Sequence, residues 1–275
     1  MSDAPVASQA ALRFPENPSS WHSVAIFASR YGYAIASHLL ILLVWQLVVV
    51  SGSVPSFILP SPQATLATLA DPSYRWFSNT MTTAAEVYGG YTLGAATAIV
   101  LALLFSWVRS LEKLTMPAVV SFNMIPKVAM GPLMIVWFKY GIGPNMLIAF
   151  SICFFPILLT SLRGLREVDP DLLDLVNSLN GSRWQLFIKI QLPSALPYIF
   201  SGMKVGAILA VAGAIVGEFL GSDRGLGYLM MQVQVGLDTP AMFMALLLIT
   251  LVGMSLYGVV LLLERLLVTR DARLV

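Results

Sequence analysis

The chain has 275 residues, of which 57% are apolar and 11% are charged, and its mean hydropathy is +0.81. An average soluble domain carries about 25% charged residues, so this composition predicts a membrane protein. The single cysteine, Cys153, excludes a disulfide framework or a thiolate metal site built within the chain. A formal net charge of +2 is too small to predict nucleic-acid binding.

Six apolar segments are long enough for transmembrane helices, since one crossing takes about 20 residues. Helices are expected because lipid offers no hydrogen-bond partner to exposed backbone groups. The third segment should be kinked or broken, because Pro126, Gly131 and Pro132 interrupt it. In chain order, the segments are 33–51, 87–107, 114–138, 146–162, 197–219 and 241–263.

Basic residues are spread unevenly over the segments between these spans. Six crossings place both termini on one side, and cytoplasmic segments are enriched in Lys and Arg. We therefore expect a cytoplasmic N-terminal tail over 1–31, a membrane domain over 32–266 and a cytoplasmic C-terminal tail over 267–275. The outer segments then hold Arg75, Lys139 and Arg224, and the inner ones hold Arg13, Arg30, Arg109, Lys113, Arg163, Arg166, Arg183, Lys189, Arg265, Arg270 and Arg273.

The longest predicted cytoplasmic loop, 163–196, has the pattern of two short helices joined by a turn. Asp169-Pro170 is typical of a helix start, and the leucines that follow at helical spacing give one apolar face. Asn180-Gly181 should end this helix, with the glycine in the left-handed conformation. Ser182 can cap a second helix that Leu192-Pro193 ends. The pattern is typical both of a hairpin lying on lipid headgroups and of a docking element.

The stretch 180–197, which begins within this loop and ends just after it, resembles the cytoplasmic signature of binding-protein-dependent ABC importer permeases. That signature is a Glu-Ala-Ala triplet, then a glycine, and later an apolar residue, any residue and Leu-Pro. The triplet position reads Leu175-Val176-Asn177, so the glutamate is absent, although Asp174 is adjacent. The other signature positions match at Gly181, Ile190, Leu192 and Pro193.

Further short motifs occur in the order seen in permeases for nitrate, sulfonate, taurine and related solutes. The resemblance therefore covers about 57–265. Each motif is weak alone, and their joint order is what makes the resemblance specific. They are Leu59-Pro-Ser-Pro62, Met124-Ile-Pro126, Pro132-Leu-Met-Ile-Val-Trp-Phe138, Phe154-Phe-Pro-Ile157, Gly217-Glu-Phe219 and Gly225-Leu-Gly-Tyr228.

The resemblance implies an all-α, importer-type permease fold with a cytoplasmic coupling helix, in the bacterial cytoplasmic (inner) membrane. It implies a second permease copy, two ATP-binding subunits, a periplasmic or extracellular solute-binding protein and membrane lipid as partners. ATP and Mg would bind the partner ATPase, so this chain is assigned no catalytic residue, cofactor or metal. The residues implied in ATPase coupling are Asp174, Leu175, Val176, Asn177, Gly181, Ser182, Arg183, Trp184, Leu192 and Pro193.

Charged residues are costly inside a membrane, so those within the predicted spans are candidates for the translocation pathway. Lys127 lies at the break in the third span, where it could attract an anion, although it could also extend to the surface. Lys204 lies about two turns inside the cytoplasmic end, from which it could extend to the headgroups. Glu218, the only acid assigned to a span, is either a satisfied interfacial acid or part of a gate or binding-protein contact.

Small residues form a stripe along the fifth predicted span. Gly206, Gly213 and Gly217 belong to it, and we expect them to face the pathway or the partner permease. In the second span Gly90 and Gly94 are expected to pack against helices of the same chain.

The transported solute is the least determined part of this prediction. The resemblance favours nitrate, sulfonates or taurine, with a heterocycle such as a pyrimidine precursor or riboflavin as the alternative. A stand-alone carrier or channel is the alternative from another class, but carriers usually show internal repeats and intramembrane carboxylates. An intramembrane enzyme would need a catalytic or metal-binding constellation, and the two histidines, His22 and His38, do not supply one.

Overall fold

The computed structural model describes residues 20–268, and the regular elements within that range are all helical. Residues 1–19 and 269–275, with the tail predictions that fall on them, lie outside the described residues. The chain divides into two compact units, Met1–Pro55 and Ser56–Val275.

The first unit contains helix α1, Ser20–Val50. It begins within the range predicted as the N-terminal tail. Its apolar stretch Ile35–Val50 falls inside the predicted first span, but it is shorter than the helices that could cross a membrane alone. The count of six spans therefore stays a prediction.

The second unit is a bundle in which α6 packs between α3 and α9. Beyond these three helices, α11 packs on α9 and α3, and α10 packs on α11 and α9. The helices are α2 (Pro62–Ala67), α3 (Trp76–Trp107), α4 (Arg109–Asn123), α5 (Lys127–Phe138), α6 (Ile142–Arg166), α7 (Pro170–Ser178), α8 (Arg183–Leu186), α9 (Leu192–Gly221), α10 (Leu226–Val235) and α11 (Thr239–Leu267).

Within the described residues, four helical stretches are long and apolar enough to cross a membrane. The pair α4 and α5, bent by 83° at the break between them, would add a fifth span or a re-entrant loop. The break at 124–126 confirms the interruption predicted in the third span. The four stretches are Pro72–Trp107, Ile142–Arg166, Arg183–Gly221 and Thr239–Leu267.

The predicted second helix of the 163–196 loop is not separate, which corrects that expectation. α8 continues through a π-helical segment, Phe187–Gln191, into α9, so Leu192-Pro193 does not end a helix. Pro193 has no N–H, and its ring would clash with the carbonyl four residues earlier in an α-helix. That carbonyl lies in the wider π-helical segment, which accommodates the proline.

Close approach between helices holds the bundle together. At Gly90 an added Cβ would lie 2.6 Å from the Met146 carbonyl of α6, and at Gly94 it would lie 2.5 Å from Cys153 Sγ. These contacts confirm that the two glycines of the second span pack within the chain. The backbones of α3 and α6 can approach this closely only where no side chain intervenes.

The glycine stripe of α9 also packs within the chain. Gly206 faces Ile157 of α6, and a Cβ at Gly213 would lie 2.7 Å from Ala149 Cα. Gly217 follows on the same face, and all three glycines are buried. The expectation that Gly206, Gly213 and Gly217 face the pathway or a partner permease is therefore corrected, because α6 covers that stripe.

Candidate coupling loop and translocation pathway

Helix α7 has a defined start and end. Asp169 Oδ1 accepts the Asp171 N–H at 3.0 Å, which satisfies one of the amides left free at a helix start. At the other end the Gly181 N–H donates to the Val176 carbonyl at 2.8 Å, across the turn that ends the helix. The left-handed residue there is Asn180, with φ +51°, and not Gly181, which corrects that prediction.

The glycine at position 181 is required for a different reason. A Cβ on Gly181 would lie 2.6 Å from Val176 Cγ1, so a larger residue would push against the last turn of α7. The turn packs tightly on the helix that it ends.

Ser182 caps the next helix, as the sequence predicted. Its Oγ accepts the Gln185 N–H at 3.2 Å, and Gln185 Oε1 accepts the Ser182 N–H at 2.8 Å. This reciprocal pair is a capping box, which fixes the direction in which the chain enters a helix. The connection from α7 to α8 is therefore a hydrogen-bonded turn.

Apolar side chains in this loop are exposed. Leu172, Leu179 and Trp184 are 39%, 73% and 60% exposed. Exposed apolar side chains grouped on one loop are typical of a protein-interaction surface.

The predicted coupling residues fall on two separate places. Asp174 is exposed and Val176 is half-buried in α7, and the exposed Ser182 and Arg183 follow at the start of α8. Leu175 and Asn177 belong to α7, but their side chains lie outside the described residues. Leu192 and Pro193 lie instead in the first turn of α9.

An aromatic cluster joins this loop to α3. The Trp107 ring lies 5.7 Å from the Trp184 ring and 5.3 Å from the Phe187 ring, and the last two rings are 6.1 Å apart. Rings at such separations attract one another beyond their buried area. The cluster fastens the start of Arg183–Gly221 to the end of α3. Sequence reasoning missed Trp107, since a single sequence gives no signal for pairing positions so far apart.

Lys127 lies beside a groove near the break between α4 and α5. Its Nζ donates to the Phe122 carbonyl at 2.9 Å and lies 5.2 Å from the centre of the Phe122 ring. Phe150 and Phe154 of α6 also line the groove, and their rings stack on each other at 5.6 Å. The groove, of about 310 Å³, is lined by Ala118, Val119, Phe122, Asn123, Lys127, Phe150, Ser151 and Phe154.

Lys204 does not extend toward headgroups, which corrects that expectation. Its Nζ donates to Glu264 Oε1 of α11 at 3.1 Å, and Glu264 is 4% exposed. The pair lies between two helices long enough to cross a membrane.

Glu218 is buried and fully engaged within the chain. Thr83 of α3 donates to its Oε1 at 2.6 Å, and the Gly227 and Tyr228 N–H groups donate to its Oε2. Glu86 of α3 is also buried and accepts a hydrogen bond from Asn145 of α6 at 2.8 Å. Both carboxyl oxygens of Glu218 therefore have hydrogen-bond donors, and the residue lies beneath the loop that follows α9.

The prediction that Glu218 is the only acid within a span is wrong. Glu86 and Glu264 are buried in helices that could cross a membrane. The hydropathy segments ended next to both of them, because α3 and α11 continue beyond their most apolar stretches. A signal existed for Glu86: Trp76, Thr83 and Gly90 recur at helical spacing on the buried side of α3.

Comparison with known proteins defines the family. Residues 90–269, more than half of the chain, match the family described as "Binding-protein-dependent transport system inner membrane component". A probable ABC transporter permease protein of Haemophilus influenzae is 36% identical, over 79% of this chain and 89% of the relative.

Relatives with named solutes are also similar. The riboflavin transport system permease protein RibX of Chloroflexus aurantiacus is 36% identical over 85% of this chain and 88% of the relative. The putative aliphatic sulfonates transport permease protein SsuC of Bacillus subtilis is 28% identical over 86% and 87%.

The fold agrees with a solved importer. An inward-facing structure of the MetNI methionine ABC transporter matches with a TM-score of 0.59 at 18% identity, over 70% of this chain and 95% of that chain. At this identity the likeness supports the fold alone. Family, relatives and fold together place the chain in the family of binding-protein-dependent transport system inner membrane components, the non-enzymatic permease subunits of ABC importers whose ATPase is a separate subunit.

Proposed function

We propose that two copies of this permease form the pathway for a small solute across the bacterial cytoplasmic membrane. An external binding protein delivers the solute, and two ATP-binding subunits drive transport by binding α7. The observation that carries the proposal is α7 itself, a short capped helix that contains the exposed Leu172 and is followed by the exposed Leu179. Both termini would lie in the cytoplasm, on the same side as α7, in a six-span topology.

The attachment of α7 explains how a partner could move the pathway. Residues 167–169 join α7 to α6, and the hydrogen-bonded turn at 179–182 joins it to Arg183–Gly221. α6 and α9 pack on each other through the buried glycine stripe. A displacement of α7 would therefore move α6 and α9 together as one body, a rigid-body transition between inward-open and outward-open states.

Lys127 is our candidate for a pathway charge. It carries a positive charge at the edge of an aromatic groove, next to the break between α4 and α5. A sulfonate, taurine or nitrate-like anion would be attracted there, and a relative named for aliphatic sulfonates agrees with this solute class. Lys204 and Glu218 are weaker candidates, because each is already paired within the chain.

A second solute class has its own support. A relative named for riboflavin is 36% identical to this chain, and the stacked Phe150 and Phe154 offer an aromatic surface to a heterocycle. Ligand identification on the cognate binding protein, followed by uptake competition with an aliphatic sulfonate and with riboflavin, decides between the two classes.

Site-specific crosslinking tests the docking of the ATPase on α7. The native Cys153 is buried, so an introduced cysteine is the reactive one among the described residues. Leu179→Cys should crosslink to the ATP-hydrolysing subunit in the assembled complex. Leu237→Cys, 70% exposed and at the opposite end of the bundle, is the matched control. Capture of the ATPase from position 237 but not from 179 would reject the proposal.

A further inference from the structure

Glu86 and Glu218 place two carboxyl groups next to each other inside the bundle. Glu86 of α3 is 0% exposed and Glu218 of α9 is 2% exposed. Thr83, one turn from Glu86 on α3, donates to Glu218 at 2.6 Å, and Asn145, which donates to Glu86, lies against Gly217, the residue before Glu218. Two ionised carboxylates placed together in a buried site would repel each other, so this arrangement favours one proton on the carboxyl pair.

The surrounding hydrogen bonds assign that proton to Glu86. Glu218 accepts from the Thr83 hydroxyl and from the N–H groups of Gly227 and Tyr228, an arrangement that suits an ionised carboxylate. Glu86 Oε1 accepts from Asn145, but no donor of the described residues reaches Glu86 Oε2. A proton on Oε2 removes this unsatisfied buried atom, because the hydroxyl then donates to Glu218.

Few charges around the carboxyl pair could replace the proton. α6 contributes the neutral Asn145, and α10 contributes Tyr228. The loop after α9 contributes Asp223 and Arg224, which are exposed and pair with each other at 3.1 Å. With both carboxyls ionised, two adjacent negative charges would be buried without a described cation beside them, which is strongly unfavourable.

The carboxyl pair also holds the turn at 225–228. Asn79 accepts the Gly225 N–H at 3.0 Å, and Thr83 accepts the Leu226 N–H at 2.8 Å. Glu218 binds the next two N–H groups. Gly225 has φ +110°, and an added Cβ would collide with the Glu218 carboxyl, so the turn is shaped around this acid.

We propose that Glu86 and Glu218 form a binding site for a single proton, whose occupancy holds the 225–228 turn on α3. Raising the pH removes the proton and leaves two buried carboxylates that repel each other. The pair then separates, and the turn loses part of its attachment to α3. Lowering the pH back to neutral restores the arrangement.

Infrared spectroscopy of the purified full-length complex tests the proton directly. At neutral pH the wild type should show the absorption of a protonated, buried carboxyl group, and Glu86→Gln should lack it. Glu264→Gln is the matched control, since this buried acid is paired with Lys204 and should be ionised. A spectrum that Glu86→Gln leaves unchanged would overturn the proton site.

Hydrogen exchange tests the consequence for the turn. After correction for the intrinsic pH dependence of exchange, the wild-type amides at 225–228 should exchange about tenfold faster or more at alkaline pH, as loss of a charge-assisted hydrogen bond predicts. Glu86→Gln should stay protected, because its amide donates to Glu218 as the protonated acid does. Equal wild-type protection at both pH values would overturn the proposal that the proton holds the 225–228 turn on α3, even if no variant folds. Neither measurement involves transport, so its outcome is separate from that of the proposed function.

Discussion

The Lys204 ammonium group and the Glu264 carboxylate form an ion pair at 3.1 Å between α9 and α11. The two side chains are 18% and 6% exposed, so removing one partner leaves a largely desolvated charge. Lys204→Met alone should destabilise the protein by about 3 kcal/mol, because it leaves the more deeply buried carboxylate without its cation. Glu264→Gln should have a smaller effect, because the Gln carbonyl can still accept from Lys204, which is the more exposed partner.

The double variant, Lys204→Met with Glu264→Gln, should recover most of the stability that Lys204→Met loses. Thermal unfolding of the purified complex measures all four proteins under one condition. A double variant no more stable than Lys204→Met would show that the ion pair is not what stabilises this position.

Replacing a glycine by alanine should lower the stability of the protein within the buried stripe of α9 but not at an open position. Gly213→Ala places a Cβ 2.7 Å from Ala149 Cα, so α6 and α9 must separate, and a loss of about 1–3 kcal/mol is expected. Gly258→Ala in α11 meets nothing within 4 Å and should be neutral or slightly stabilising. Thermal unfolding compares the two alanine variants. Equal effects would mean that close packing is not the reason for Gly213.

A proline at position 181 should disrupt the turn at 180–181 and uncouple ATP hydrolysis from solute uptake. Gly181→Pro removes the N–H that donates to Val176, and it disfavours the positive φ of Asn180. ATP hydrolysis by the reconstituted complex should continue while solute uptake falls. Asn180→Gly is the control, because glycine adopts φ +51° without strain. Normal uptake in Gly181→Pro would contradict the role of this turn.

Opposite ends of the bundle should be labelled from opposite sides of the membrane. In intact cells, a membrane-impermeant maleimide should react with Arg224→Cys, whereas Leu179→Cys should react only after permeabilisation. Both positions are exposed in this chain. The reverse pattern would invert the proposed topology.

Lys127 predicts a charge effect on uptake. Lys127→Met should lower the rate of uptake of an anionic solute, while Lys127→Arg should retain it, because only the arginine variant keeps the charge. Lys113→Met, an exposed lysine on neighbouring α4, is the control. Uptake unchanged in Lys127→Met would remove this residue from the pathway.

Local patterns predicted much of this fold. Apolar segments located the long helices, Pro126 located the break at 124–126, and Ser182 was predicted as a cap. These features depend on residues close in sequence, where periodicity and capping are strong signals.

Contacts between distant residues were not predictable in this way. Lys204 of α9 is paired with Glu264 of α11, and Glu218 of α9 is buried beside the part of α3 that carries Glu86. The apolar segments ended beside Glu86 and Glu264, although each of these acids has a hydrogen-bond partner far away in the chain. The left-handed residue of the turn was predicted at Gly181 and lies at Asn180. Asn and Gly both tolerate a left-handed backbone, and their order alone does not say which of them adopts it.

The π-helical segment Phe187–Gln191 sets the direction in which the loop leaves the bundle. A wider turn adds a residue to the helix without adding an α-helical turn, so everything before it is rotated by about 100°. That rotation determines which side of the helix presents Trp184 and Phe187 to Trp107. Deleting one residue from this segment would leave α9 in place while turning α7 to face another part of its surroundings.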